Sequence, residues 1–397
     1  MRLVKIAWVF VVLCFAFESV RAQGIMLSEE AEVSVLTMGP GQEQLYSAFG
    51  HSALRIHDDQ NSIDIFYNYG VFDFDQPNFY LNFAKGKLLY KLGLNNYSRQ
   101  IKYYMRINRT IVEQTLDLTQ SEKQEVFDVL MENAKPENAE YYYNYCYDNC
   151  ATKIRDVINT VLAGKVQYNY HYASDSMSYR DLMDKYLGQQ PWGDVGIDYC
   201  LGSEIDRLAD GPAYMYMPEY LKIALDGAHI TNDSTIKPLV KQKRTLNIAA
   251  DKPSAASPIT PFHVFVVLFF VVGIFTHRGL KYSLNFRFID VILYGTTGLL
   301  GFSLLFLWFG TDHLSQNNLN LIWSTPLNLI ALALLFKKER PAWLRYYFNA
   351  YGIVLILLII TDGALPQQLN EAFIPLVLAL IVRSFYLGYW LKRGVVY

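Results

Sequence analysis

Apolar positions along the chain change their spacing twice. They run almost unbroken from Ile6 to Phe17, alternate with polar positions in short stretches through the middle, and become continuous again in five blocks beyond residue 255. The middle predicts a mixture of strands and helices. Residues 33–38 (VSVLTM) read as a short strand before a Gly-Pro-Gly loop. AFGHSALRIHDDQNSIDIFYNYG reads as a β-hairpin, since two apolar stretches flank a polar DDQN turn. Residues 78–91 form an aromatic amphipathic segment, and residues 101–118 read as one or two strands. Thr119 and Glu122 have capping-box spacing and open a helix that ends at Lys135-Pro136. A second helix starts at Asp148-Asn149, either of which is a suitable cap, and runs to about Leu162. Residues 165–235 are loop-rich, with helices expected near 178–187 and 218–228. The polar, basic stretch 236–258 reads as a linker.

The two apolar ends predict a membrane protein. Arg2 and Lys5, the apolar run and small residues at Val20 and Ala22 make residues 1–22 a secretory signal peptide, with Gln23 as the mature start. The five later blocks, at about 260–276, 288–309, 319–336, 346–362 and 372–391, each approach the ~20 residues that cross a bilayer. Loops after the first and third blocks, and the tail after the fifth, carry Lys and Arg, whereas the other two loops carry Asp312, His313, Asp362 and Glu371 and no Lys or Arg. The basic loops therefore face the cytoplasm, which puts residues 23–255 outside it, with the outer domain at 23–235, and the C-terminus inside. Composition agrees: the chain is 52% hydrophobic and 15% aromatic, and a net charge of −2 without a strong basic patch argues against a nucleic-acid partner.

The candidate chemistry centres on Cys150, in the first turn of its helix. A helix N-terminus stabilises anions, so a thiol there tends towards thiolate. His51 opens a strand upstream and supplies a candidate base. If Arg55 faces Asp64 across the hairpin, then Ala53 faces Phe66 and His51 faces Asn68, which places an amide beside the imidazole. Asn68 is thus the expected third member, with Tyr69 and Asp64 as rivals. The mature chain has three cysteines, Cys146, Cys150 and Cys200, and the odd number leaves one thiol free. Either Cys146 pairs with Cys200 and Cys150 stays reactive, or all three are reduced and buried.

Rival chemistries have weaker signals. Cys146, Cys150, His51, His57 and His171 lack the spacing of a zinc site, and no metal or other cofactor is implied. No G-x-S-x-G elbow supports a serine hydrolase. Paired-carboxylate chemistry leaves no mark at this level.

A His-bearing strand, a polar strand and then Asn-Cys at a helix start resemble the circularly permuted papain-like superfamily, the NlpC-type amidases and their relatives. FGHSALRI, IDIFYNYGVFDF, PNFYLNFAKGKLLY and YYYNYCYDNCATKIRD more closely resemble the outer domain of Lnb-type lipoprotein N-acyltransferases, a domain followed in that family by five membrane helices. The resemblance implies an α+β, permuted papain-like extracytoplasmic domain followed by an all-α domain of five transmembrane helices at 259–397. It implies a bacterial inner-membrane enzyme that transfers a fatty acyl chain to the amine of a diacylglyceryl-cysteine lipoprotein, with Cys150 as nucleophile and His51 as base. The stretch TDHLSQNNLNLIWSTPLNL also resembles the family's membrane domain, and His313, Asn318, Asn320 and Asn328 become candidate substrate-binding groups; the alternative is interhelical hydrogen bonding. Arg383, inside the fifth block, is expected to pair internally or snorkel.

The expected reaction is ping-pong, with a phospholipid as acyl donor and a Cys150 thioester between the two half-reactions. Aromatic segments at 66–83 and 141–147 are candidates for an acyl groove or for ordinary core. The same Cys and His would equally serve a membrane-tethered peptidoglycan peptidase or amidase, or a phospholipase or thioesterase. A receptor or assembly factor with an inert domain is the non-enzymatic reading.

Overall fold

A computed structural model describes residues 24–72, 75–232, 235–250 and 257–393. The expected signal peptide, 1–22, lies outside the described residues. The N-terminal domain is built on strands β1 (Glu32–Met38), β2 (His51–Asp58), β3 (Ile63–Val71), β4 (Leu89–Asn96), β5 (Ile111–Leu116), β6 (Glu140–Tyr142), β7 (Val166–Gln167), β8 (His229–Asn232), β9 (Thr235–Pro238) and β10 (Val240–Asn247). Seven of them make one antiparallel sheet in the order β10-β5-β1-β2-β3-β4-β6, and β7-β8-β9 make a small second sheet.

Both faces of the large sheet are covered. On one side lies the helix Cys150–Leu162, whose Ile154, Val157, Ile158 and Val161 recur at helical spacing and pack on Val33, Val35, Leu54, Ile56 and Tyr67. On the other, Leu36, Met38, Ala53 and Phe66 meet Ile101. Ile101 belongs to a helix, Tyr97–Arg106, where residues 101–118 had suggested only strands; the Asn96 side chain caps it by accepting from the Arg99 N–H at 3.1 Å. The capping-box helix is present as Gln120–Asn133, with both reciprocal bonds between Thr119 and Glu122. The linker expectation is corrected for 236–247: this segment forms β9 and β10, and β10 pairs with β5 as an edge of the sheet. Residues 251–256 of that expected linker lie outside the described residues.

The hairpin register is also corrected. The pairs are Arg55↔Phe66, Leu54↔Tyr67 and His57↔Asp64, two residues away from the expected alignment. The wider turn wins because Asp58 caps it, its carboxylate accepting from the backbone N–H groups of Gln60 and Asn61 and from the Asn61 side chain. These bonds and those from Ser28 outweigh the cost of burial and hold the Asp58 pKa at about 2.

The C-terminal part is helical. Among the described residues, four helices are long and apolar enough to cross a membrane: Pro261–Tyr282, Arg287–Gly310, Leu344–Ala364 and Glu371–Lys392. The expected third span, 319–336, is instead shorter and broken, a 3₁₀ turn over Leu319–Ile322 followed by a helix over Leu327–Leu335. Pro326 lacks an N–H to continue the helix, and the second long helix presses on the break so closely that a Cβ at Gly301 would lie 1.5 Å from the Ser324 carbonyl oxygen. Arg383 pairs internally: its guanidinium makes a bidentate, fully buried contact with Asp290 at 2.5 and 2.8 Å.

A further helix within the loop-rich stretch 165–235, Pro191–Cys200, joins the two parts. Its last carbonyls accept from membrane-domain amides, Asp198 O from Asn320 Nδ2 at 2.9 Å and Tyr199 O from Asn318 Nδ2 at 2.8 Å. The Gly202 N–H donates to Leu314 O at 2.8 Å, and a Cβ there would collide with the Gln316 carbonyl. The loops that touch the N-terminal domain, around 312–320 and 367–370, are those without Lys or Arg.

Candidate active site

Asn149 positions Cys150. It is the N-cap, its side-chain oxygen accepting from the N–H groups of Ala151 at 2.8 Å and Thr152 at 3.0 Å. Its Nδ2 donates to the carbonyls of Tyr145 at 2.7 Å and Tyr216 at 2.9 Å, so the cap is bolted to the preceding loop and to a distant segment at once. Cys150 follows as the first helical residue, buried.

His51 opens β2 on the face that meets this helix start. Its Nε2–H donates to Asn68 Oδ1 at 2.7 Å, which leaves Nδ1 as the nitrogen for the thiol. The shifted register keeps this contact because a slip of two preserves the face, and the same diagonal reach gives Arg55 Nε to Asp64 Oδ1 at 2.7 Å. Continued to the strand end, the register sets His51 opposite Gly70, which has φ of +141°. A Cβ there would lie 3.2 Å from His51 Cε1 and 4.0 Å from the Cys150 Cβ, so glycine leaves the room in which imidazole and thiol meet.

The electrostatics favour an ion pair. Burial alone would raise the Cys150 pKa, but the charge of His51, its hydrogen bond and the N–H groups of Ser52 and Ala151 outweigh it and lower the pKa. Burial alone would lower the His51 pKa, and the neighbouring thiolate together with Asn68 outweighs it and raises the pKa. Thiolate and imidazolium therefore stabilise one another.

The two rivals of Asn68 are engaged elsewhere. The Tyr69 hydroxyl accepts from Asn133 Nδ2 at 2.7 Å in the core, and Asp64 is held by Arg55. Sequence reading missed Tyr104, whose ring stacks near His51 at 6.5 Å between centroids, because its helix had been read as strand. It also missed Arg109, a buried cation that donates to the carbonyls of Gly39 and Ser47 and lowers the His51 pKa by its charge.

The other candidate residues lie apart from this centre. Cys146, Cys150 and Cys200 are free, so the expected Cys146–Cys200 disulfide is not formed. Cys146 is buried among Tyr179, Leu182, Leu201 and Tyr216, and burial pushes its pKa up, which keeps it a neutral thiol. His313 Nδ1 bonds the Tyr145 hydroxyl, and Nε2 meets Phe83 O at 3.0 Å. Asn318 and Asn320 bond the Pro191–Cys200 helix as above, and Asn328 joins Thr297, Tyr347 and Tyr351 within the helical part. Of the other residues weighed for zinc, His57 lies by Asp59 and Asp64, and His171 packs edge-on to Tyr172. The one group of potential metal ligands found among the described residues, Asp184, Asp194 and Asp198, contains none of them.

Models of two protein families match the chain. One is the Lnb N-terminal periplasmic domain, over residues 19–185, and the other is the Lnb transmembrane domain, over residues 253–394. No curated protein and no solved structure matches it.

Proposed function

The chain belongs to the Lnb family, whose domains mark a membrane acyltransferase that processes lipoproteins, and from that premise we propose that Cys150 carries the acyl group as a thioester. The observation that carries this reading is the convergence of a buried thiol with lowered pKa, an imidazole with raised pKa and an amide on the imidazole's far nitrogen. The order of strand-His, strand-Asn and helix-Cys around an antiparallel sheet supports a permuted papain-like domain. The domain begins at Gln23 after signal cleavage and extends through β10 to Asn247.

The Cys150 thiolate attacks an ester carbonyl of a phospholipid in the outer leaflet. Backbone N–H groups at the helix start stabilise the oxyanion. The ester C–O bond breaks, His51 gives its proton to the departing lysophospholipid oxygen, and a thioester remains. The free α-amine of a diacylglyceryl-cysteine lipoprotein then attacks the thioester. His51 takes a proton from that amine, the C–S bond breaks, and the amide leaves with the thiolate–imidazolium pair restored. The basic loops and the C-terminus face the cytoplasm, which the docking of the Lys/Arg-free loops against the periplasmic domain supports. Both substrates then diffuse in one leaflet beside the tethered domain, which raises their effective concentration. The polar groups His313, Asn318, Asn320 and Asn328 act in this reading by holding the two domains and the helices in register.

Intact mass spectrometry after incubation with phospholipid vesicles tests this. Wild type gains a fatty-acyl mass that neutral hydroxylamine removes and that transfers to an added diacyl lipopeptide; Cys150→Ala gains none. An adduct discharged only to water makes the protein a lipase, and no adduct and no lysophospholipid moves the assignment to peptide cleavage in the cell wall.

A further inference from the structure

The short helix Phe79–Ala84 turns much of its apolar surface outward. Tyr80 is 84% exposed, Leu81 52% and Phe83 53%. Exposed apolar clusters of this kind mark a partner surface. Contacts set its height relative to the membrane. The Asp312 N–H donates to Lys85 O at 2.8 Å, and His313 meets Phe83 O at 3.0 Å, two and three residues past the outer end of the second long helix at Gly310. Gly86, with φ of +74°, permits the approach, since a Cβ there would lie 2.7 Å from the His313 nitrogen. That long helix ends in outward-facing aromatics, Phe302 at 65% and Phe309 at 76% exposed. The short helix continues this apolar face at headgroup level, and Lys85 and Lys87 follow it where lipid phosphates would lie.

A row of rings leads inward from the same helix. Phe79 stacks with Phe72 at 6.4 Å between centroids, Phe72 meets Tyr90 at 5.1 Å, and Tyr90 stacks on Tyr143 at 4.3 Å. Tyr90 and Tyr143 are close enough to Cys150 to feel its charge. All four rings are half-buried rather than buried, so each keeps part of its apolar surface exposed.

We propose that the Phe79–Ala84 helix seats in the outer leaflet of a phospholipid bilayer and that the row Phe79, Phe72, Tyr90 and Tyr143 guides one phospholipid acyl chain from there to Cys150. The second half rests on the reading of Cys150 as acyl carrier; the first half does not. An aromatic helix with lysines at its end is the composition of an interfacial anchor, and an apolar track lets the chain leave the bilayer without crossing water.

Two measurements on the full chain in proteoliposomes test it. Tryptophan is placed by Tyr80→Trp and, as a control, by Ile236→Trp on β9, where Ile236 is 71% exposed. Phospholipid brominated on its acyl chains quenches the added fluorescence at position 80 and not at 236; equal quenching, or none at 80, overturns the membrane seat whatever the chemistry. In the second, Leu81→Asp/Phe83→Asp slows Cys150 acylation from vesicle phospholipid at least about tenfold, through the cost of bringing charge into the interface. Acylation by water-soluble p-nitrophenyl butyrate stays within about twofold of the parent, since the thiol is untouched. A vesicle rate that does not fall, or an equal fall with both donors, overturns the path. If neither donor acylates Cys150 in the parent chain, the reading of Cys150 fails and with it the path, while the quenching still decides the seat.

Discussion

Cys150 depends most on one neighbour for its charge state. Burial by itself would keep it a neutral thiol, as it does for Cys146, and the imidazolium of His51 reverses that. Alkylation by iodoacetamide followed against pH should therefore show a thiol inflection below the ~8.5 of an ordinary cysteine. In His51→Ala burial remains and the opposing charge is gone, so the inflection moves above that of an ordinary cysteine, and acyl transfer falls by about 10²–10⁴-fold. Asn68→Ala leaves the imidazole without its acceptor at 2.7 Å and is expected to move the inflection in the same direction by less. An unchanged inflection in His51→Ala would remove the ion pair from the account.

Among the elements, the second and fourth long helices are held by the Arg383–Asp290 pair, both side chains fully buried. Removing Arg383 takes a bidentate partner from the buried Asp290 carboxylate. Arg383→Ala should cost about 3–5 kcal/mol, seen as a lower melting temperature in detergent, and Arg383→Met with Asp290→Leu should recover most of it. Activity should follow stability in these variants. Equal loss in the single and the double variant would assign Arg383 a role beyond the pair. The hairpin teaches a related point about strands. A register wrong by two residues still brings Arg55 to Asp64 and His51 to Asn68, because side chains alternate with period two and diagonal neighbours stay on one face.

The molecule as a whole turns on the junction at Pro191–Cys200. There Asp184, Asp194 and Asp198 crowd together beside Arg180 and Asn370. Burial first, then the charges of Asp198 and Asp194, pushes the Asp184 pKa up to about 8. The folded protein thus holds a proton that the unfolded chain has released above the ordinary carboxylate range. The stability from that proton is full in acid and is lost as pH rises towards and through about 8. The melting temperature should fall between pH 6 and pH 9, and Asp184→Asn should flatten the fall; these pH values bracket the titration at about 8. A wild-type fall that persists in Asp184→Asn would place the titration elsewhere.

Local signals were legible without coordinates: the capping box at Thr119, the Asn-Cys helix start, the hairpin and the apolar blocks all act over a few residues, where propensity and periodicity decide. So was the pairing of His51 with Cys150 as candidates, since each stands at the start of its own element. What remained hidden depended on distant partners. The turn at Asp58 took its width from hydrogen bonds that include Ser28, and Tyr104 reached His51 only once its helix had formed. Residues 236–247, polar enough to read as a linker, became strands because β8 offered an edge to β9 and β5 an edge to β10. The third apolar block broke at Pro326 against Gly301, and Pro191–Cys200 became a bracket through amides more than a hundred residues away. Short-range chemistry is written along the chain, whereas register, edge pairing and domain docking are settled by groups that meet only after folding.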